Sequence, residues 1–125
     1  MQKILLVEDD PFLIDIYTTK MKEFGFTVDI ATTGQDCLKK LKEENFDLLV
    51  LDIVMPHFDG WEILEKIKNE REREGNFQNL KIVVLSNLGQ KEEVEKGLKL
   101  GGNKYLIKAH YTPSEVMEEI KNLLK

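Results

Sequence analysis

Asp47-Leu48-Leu49-Val50-Leu51-Asp52 sets an unbroken apolar run between two carboxylates. With no polar alternation, such a run has no face suited to water. It reads as a strand covered on both sides, as in a parallel sheet packed between helices. Ile4-Leu5-Leu6-Val7 and Ile82-Val83-Val84-Leu85 repeat the pattern. Phe26-Thr27-Val28-Asp29-Ile30 alternates more and suits a sheet edge, and Tyr105-Leu106-Ile107 supplies a fifth strand.

The gaps between these runs carry helical signals. Asp10 caps a helix with Pro11 at its first position, and Leu13, Ile16, Tyr17, Met21 and Phe24 follow at helical spacing until Gly25. A second helix begins near Thr33 and shows Leu38 and Leu41. Asp59-Gly60-Trp61-Glu62 has capping-box-like spacing ahead of Ile63, Leu64 and Ile67. Val94, Leu98 and Leu100 mark a fourth helix closed by Gly101-Gly102, and Thr112-Pro113-Ser114-Glu115 opens a fifth with a capping box. Strand and helix thus alternate five times, and a chain of 125 residues holds that pattern as one domain over 1–125, with little left for anything more.

Composition narrows the function. Asp and Glu total 23 against 18 Lys and Arg, giving a net charge of −5, whereas a nucleic-acid binder this small is more often basic. The expectation is no direct nucleic-acid contact. The apolar runs are far shorter than the roughly 20 residues of a membrane span. Met1-Gln2-Lys3-Ile4 runs straight into a strand without a leader pattern, and Cys37 is the only cysteine, so a reducing cytoplasm is expected.

In an open parallel sheet the functional crevice lies at the carboxyl ends of the strands. Those ends carry Glu8-Asp9-Asp10, Asp52, Ser86-Asn87 and Lys108. Clustered carboxylates repel unless a cation compensates them, and hard oxygen donors that leave room for water suit Mg²⁺ with a phosphate. Lys108 has the charge to pair with Asp52 and later with a phosphoryl oxygen, while Ser86 offers a hydroxyl. Together these are the parts that stabilise a transferring phosphoryl group.

In these segments the chain resembles a response-regulator receiver domain over essentially its whole length. The resemblance rests on 4–11, on Asp47 to Pro56 with Asp59-Gly60, on Val84-Leu85-Ser86 and on 101–108. It implies a flavodoxin-like (βα)₅ doubly wound sheet of strand order 2-1-3-4-5. It implies Asp52 as phosphoacceptor, with Asp9, Asp52 and the Val54 backbone carbonyl as Mg²⁺ ligands and Glu8 acting mostly through water; Mn²⁺ is expected to substitute. Ser86 would follow the phosphoryl group, Lys108 would hold it, and Tyr105 would be the switch aromatic. Asp10 falls outside the acidic pair and reads as the helix cap.

The implied function is phosphorelay signalling. A histidine kinase, a phosphotransfer protein or a small phosphodonor phosphorylates Asp52, and a downstream protein reads the face formed by helix four, strand five and helix five. The chain would catalyse only its own phosphorylation and dephosphorylation, as a monomer or a phosphorylation-dependent dimer, with no output domain of its own.

Three positions depart from the family pattern. Ala109 stands where most receivers place a proline after the lysine, usually with a cis bond; strain at a functional site favours a cis Lys108–Ala109 bond here too, despite a cost of about 2.5–4 kcal/mol. Asn87 replaces a small residue; its amide is expected either to crowd access to the phosphoryl group or to hydrogen-bond to it, slowing entry of phosphodonor and water. Val54 offers no polar group to orient a water, which points to slow hydrolysis. His57 and His110 read as surface or loop residues, Cys37 as a structural or incidental residue of the second helix, and the charged run 65–74 as a solvated helix face.

Other functions fit less well. An aspartyl phosphatase wants a second Asp at Val54, and a flavodoxin-like cofactor binder wants a Gly- or Ser/Thr-rich loop after the first strand. A pseudo-receiver that binds proteins without phosphate is the remaining alternative.

Overall fold

In a computed structural model the placement of residues 2–55 and 58–125 is described. The chain alternates β1 (Lys3–Val7), α1 (Pro11–Glu23), β2 (Thr27–Ala31), α2 (Gly34–Glu43), β3 (Leu48–Leu51), α3 (Gly60–Arg73), β4 (Lys81–Ser86), α4 (Lys91–Lys99), β5 (Lys104–Ile107) and α5 (Pro113–Leu123). The five strands form one parallel sheet in the order 2-1-3-4-5. The strands with continuous apolar runs, β1, β3 and β4, are the interior ones, and β2 is an edge. A two-residue antiparallel ladder, Val54–Met55 with Phe58–Asp59, follows β3. The sequence carries too few residues there to announce it. Pro56 and His57 lie outside the described residues.

Period-two alternation divides the core between the faces. Leu5, Val7, Leu49, Leu51, Ile82 and Val84 face α2 and α3, where Cys37, Leu41, Ile63, Leu64 and Ile67 are buried. Ile4, Leu6, Leu48, Val50, Val83, Leu85 and Leu106 face α1 and α5 and meet Tyr17, Met21, Val116, Met117 and Ile120. Each fully buried side chain of this size contributes about 1.5–3 kcal/mol, so truncating Leu64 or Leu6 to Ala would cost about 2–5 kcal/mol. α4 is anchored far more weakly: Gly97 is its only buried residue.

The caps follow the sequence closely. Asp10 Oδ1 accepts from Phe12 N–H at 2.9 Å, Thr33 Oγ1 from Asp36 N–H at 3.1 Å, and Thr112 exchanges hydrogen bonds with Glu115. At α3, Asp59 accepts from Trp61 N–H, which is a simple cap. α4 starts at Gln90, whose N–H donates to Glu93 Oε1 at 3.0 Å. In the loop between α3 and β4, Phe77 takes a left-handed φ of 60° while packing on the core. Arg71 holds that turn by donating to the carbonyls of Phe77 and Leu80. Among the described residues, no helix is long and apolar enough to cross a membrane.

Candidate functional site

Strand register assembles the site. Val7 pairs with Leu51, and Ser86 with Ile107, so Glu8 and Asp52 leave the sheet side by side while Lys108 follows one residue beyond Ser86. Parity then assigns faces. Glu8, Asp52 and Lys108 continue the face that carries Leu6, Val50 and Leu106. Ser86 and Tyr105 fall on the opposite face. The cluster therefore straddles the carboxyl edge of the sheet.

Its centre is the Lys108 ammonium, which donates to Glu8 Oε1 and Asp52 Oδ2, each at 2.7 Å. The carboxylates are buried, with Glu8 2% and Asp52 7% exposed, so their charges need a partner inside the protein. Burial pulls the Lys108 pKa down, but the hydrogen bonds and charges of Asp52 and Glu8 outweigh it, and the net shift is upward. Glu8 Oε2 also accepts from the N–H groups of Asp9 and Asp10, at 3.1 and 3.3 Å. Asp52 Oδ1 accepts from Val54 N–H at 3.2 Å. Gly60 fixes the path of the chain after Asp52, because a Cβ there would lie 2.6 Å from Ile53 Cα.

Ser86 is buried at 1% exposure, and its Oγ accepts from Leu88 N–H at 3.3 Å. Tyr105 donates its hydroxyl to the Leu88 carbonyl at 2.6 Å. Burial and the Glu93 charge raise the Tyr105 pKa, while a hydrogen bond to Ser86 opposes them. The ring also lies directly against Gly97 of α4. Tyr105 thus joins the hydroxyl residue to the weakly anchored helix. Val54 is 60% exposed beside Asp52, and Asp9 is half-buried.

Two features correct or extend the sequence reading. The Lys108–Ala109 peptide is trans, not cis. Without proline nothing lowers the cost of a cis bond. Instead, the chain enters a 3₁₀ turn over Lys108–His110, and Ala109 N–H donates to Asn87 Oδ1 at 3.1 Å. This turn leaves the ammonium aimed at Asp52. The second feature is Tyr17, which the sequence places only in an apolar stripe. Its pKa is raised by burial, opposed by Lys108 and reinforced by Glu8 and Asp52, so the phenol sits within reach of all three charges. Helical spacing alone gives no sign of that proximity.

The donor set of Glu8, Asp9, Asp52 and the Val54 carbonyl is all oxygen, with three carboxylates against one ammonium, which fits a hard dication by type. Among the described residues no three carboxylates are gathered at ligand spacing, and Lys108 occupies one oxygen each of Glu8 and Asp52.

Comparison with known proteins accords with this geometry. The transcriptional regulatory protein CusR of Escherichia coli (strain K12) is 31% identical over 123 residues, which are 98% of this chain and 51% of that protein. The chain spans about half the length of the curated relatives it matches. A CheY-like response regulator receiver domain protein from Methanospirillum hungatei JF-1 superposes with a TM-score of 0.84 at 30% identity, covering 99% of this chain and 94% of that one. TrrA from Thermotoga maritima, solved in complex with Mg(2+)-BeF, gives 0.80 at 28% identity, covering 98% and 99%. The response regulator receiver domain model matches residues 4–121, and the chain belongs to that family of two-component response regulators.

Proposed function

We propose that this receiver accepts a phosphoryl group on Asp52 from a histidine kinase, a phosphotransfer protein or a small phosphodonor, and so switches a protein-interaction face. The observation that carries the reading is the Lys108 ammonium held 2.7 Å from both Asp52 and Glu8. A carboxylate oxygen of Asp52 attacks phosphorus and the bond to the donor's leaving group breaks. Lys108, already oriented by Glu8, moves from the carboxylate towards the new phosphoryl oxygens. Ser86 lies on the other face of the sheet edge and donates its hydroxyl to a further oxygen.

Asp9, Asp52 and the Val54 carbonyl would hold Mg²⁺, with Glu8 acting through water and Mn²⁺ able to substitute. The ion would supply charge neutralisation for the phosphoryl oxygens. Hydrolysis then resets the domain, slowly, because Val54 presents no group to align a water. The chain thus catalyses only its own modification.

Readout runs from Ser86 through Tyr105 to α4. Movement of Ser86 changes the hydrogen bonds around Leu88 and Tyr105, and α4 resists little because it buries Gly97 alone. The face of α4, β5 and α5 then presents a new surface to a downstream protein or a second copy. CusR and its kind are transcriptional regulators about twice this length. With a net charge of −5, we assign this domain protein contacts and no direct nucleic-acid contact.

Acetyl phosphate with Mg²⁺, read by intact mass, tests the proposal. One added phosphate in the native protein and none in Asp52→Asn is the expected result. Wild-type incorporation by Asp52→Asn would remove the assignment, and no incorporation by the native protein would favour the pseudo-receiver.

A further inference from the structure

Asn87 and Ala109, both unusual against the family pattern, are bonded to each other. Asn87 Oδ1 accepts the Ala109 N–H at 3.1 Å across 22 residues. We propose that this pair is a strap between the loop after β4 and the turn after β5, and that Asn87 is a positioning residue for Lys108. The proposal rests on the reading of Asp52 as phosphoacceptor.

Lys108–His110 forms a 3₁₀ turn, and the first N–H groups of any helical turn lack partners within it. A side-chain oxygen at the cap position ordinarily accepts from one of them. Here that position is Ile107, which has no acceptor, and the turn carries no side-chain cap of its own. Asn87 supplies the missing acceptor from the loop after β4. Register allows the reach: Ser86 pairs with Ile107, so Asn87 and Lys108 stand together one step past the end of the ladder. A proline at position 109 would have no N–H to offer, and alanine at position 87 no acceptor. Each departure is useful only in the presence of the other.

The consequence concerns the chemistry. Ser86 precedes Asn87, and Lys108 precedes Ala109, so the strap ties the backbone of the hydroxyl residue to that of the lysine. Displacement of Ser86 towards a phosphoryl group carries the lysine turn with it. Loss of the strap frees the turn, and Lys108 spends less time aligned with Asp52. This reading opposes a purely screening role for Asn87, under which a smaller side chain would speed both phosphorylation and hydrolysis.

The test uses the full chain, ¹⁵N-labelled and without phosphodonor, to measure exchange of the Ala109 amide hydrogen. Asn87→Ala should speed that exchange about three- to tenfold, the range of one lost hydrogen bond, while Asn87→Asp keeps the acceptor and the protection. Both variants lie on the surface, and unchanged amide shifts elsewhere confirm that they fold. Unaltered exchange in Asn87→Ala overturns the strap. With acetyl phosphate and Mg²⁺, Asn87→Ala should be phosphorylated about three- to tenfold more slowly. On a Lys108→Met background the same substitution should change the rate no further. A faster Asn87→Ala, or a full effect without Lys108, overturns the positioning role. If the native protein takes no phosphate, the reading of Asp52 fails, whereas the exchange measurement still decides the strap.

Discussion

Lys108 Nζ and Asp52 Oδ2 are in contact at 2.7 Å, although 56 residues separate them in the chain. Lys108 is the only cation bonded to Glu8 and Asp52 among the described residues, so removing it leaves two buried negative charges, whereas Asp52→Asn leaves a balanced Glu8–Lys108 pair. Lys108→Met should therefore lose about 3–5 kcal/mol, the range for a broken buried pair, and Asp52→Asn much less. Urea denaturation at neutral pH checks the order. Millimolar Mg²⁺ should restore more stability to Lys108→Met than it adds to the native protein, since the dication compensates the same charges.

Gly97 leaves room for the Tyr105 ring, and an added Cβ would lie 2.6 Å from its Cδ2. Alanine improves helix propensity by about 0.5–1 kcal/mol, but overpacking costs about 1–3 kcal/mol, so Gly97→Ala should be destabilised on balance. The displaced ring should also lose its bond to the Leu88 carbonyl. A variant more stable than the native protein, with unshifted Tyr105 ring resonances, would contradict the contact.

Cys37 is fully buried in the core where α2 packs on the sheet, and burial pushes its thiol pKa from 9.0 up to about 12, with a smaller contribution from Asp36. The folded state keeps the proton, while the unfolded thiol loses it first. Stability from this group is thus intact below pH 9 and is lost as the pH rises towards 12, by about 1.4 kcal/mol per unit. Urea midpoints of the native protein and Cys37→Ala, measured across that interval, should converge as the alkaline slope of the native protein exceeds that of the variant. At neutral pH the thiol should resist alkylation until the protein unfolds.

Val54 stands 60% exposed next to Asp52 with no polar atom on its side chain. Val54→Gln should shorten the lifetime of the phosphorylated protein by about ten- to a hundredfold, because an amide there aligns a water. Mass spectrometry after removal of the phosphodonor follows the decay; an unchanged lifetime would locate the slow step elsewhere.

Much of this molecule is legible in its sequence because local chemistry writes it. The apolar runs of β1, β3 and β4 require cover on both faces, and Asp10, Thr33 and Thr112 announce helix starts with the oxygens they later use. The strand-end residues Glu8, Asp52, Ser86 and Lys108 are readable because the topology delivers every such position to one edge. What escapes is set by pairing between distant segments. The turn at Lys108 depends on an acceptor contributed by Asn87, 22 residues away, so the family's habit of a cis bond after the lysine misleads where the local residues, Lys and Ala, favour trans. The bond from Lys108 to Glu8 spans 100 residues, and the coupling of Tyr17 to those charges depends on how α1 packs it into the cluster with Leu6, Val50 and Leu106. The start of α4 at Gln90 offers a weaker signal than Ser, Thr, Asp or Asn would.

The distance along the chain between Glu8 and Lys108 has a bearing on biosynthesis. A growing polypeptide exposes Glu8 and Asp52 long before the segment bearing Lys108 leaves the ribosome. Until β5 adds to the sheet beside β4, Glu8 and Asp52 lack the ammonium that compensates them. Nascent chains and proteolytic fragments ending before β5 therefore carry an uncompensated acidic pair, and the balanced charge cluster arrives only with the completed fold.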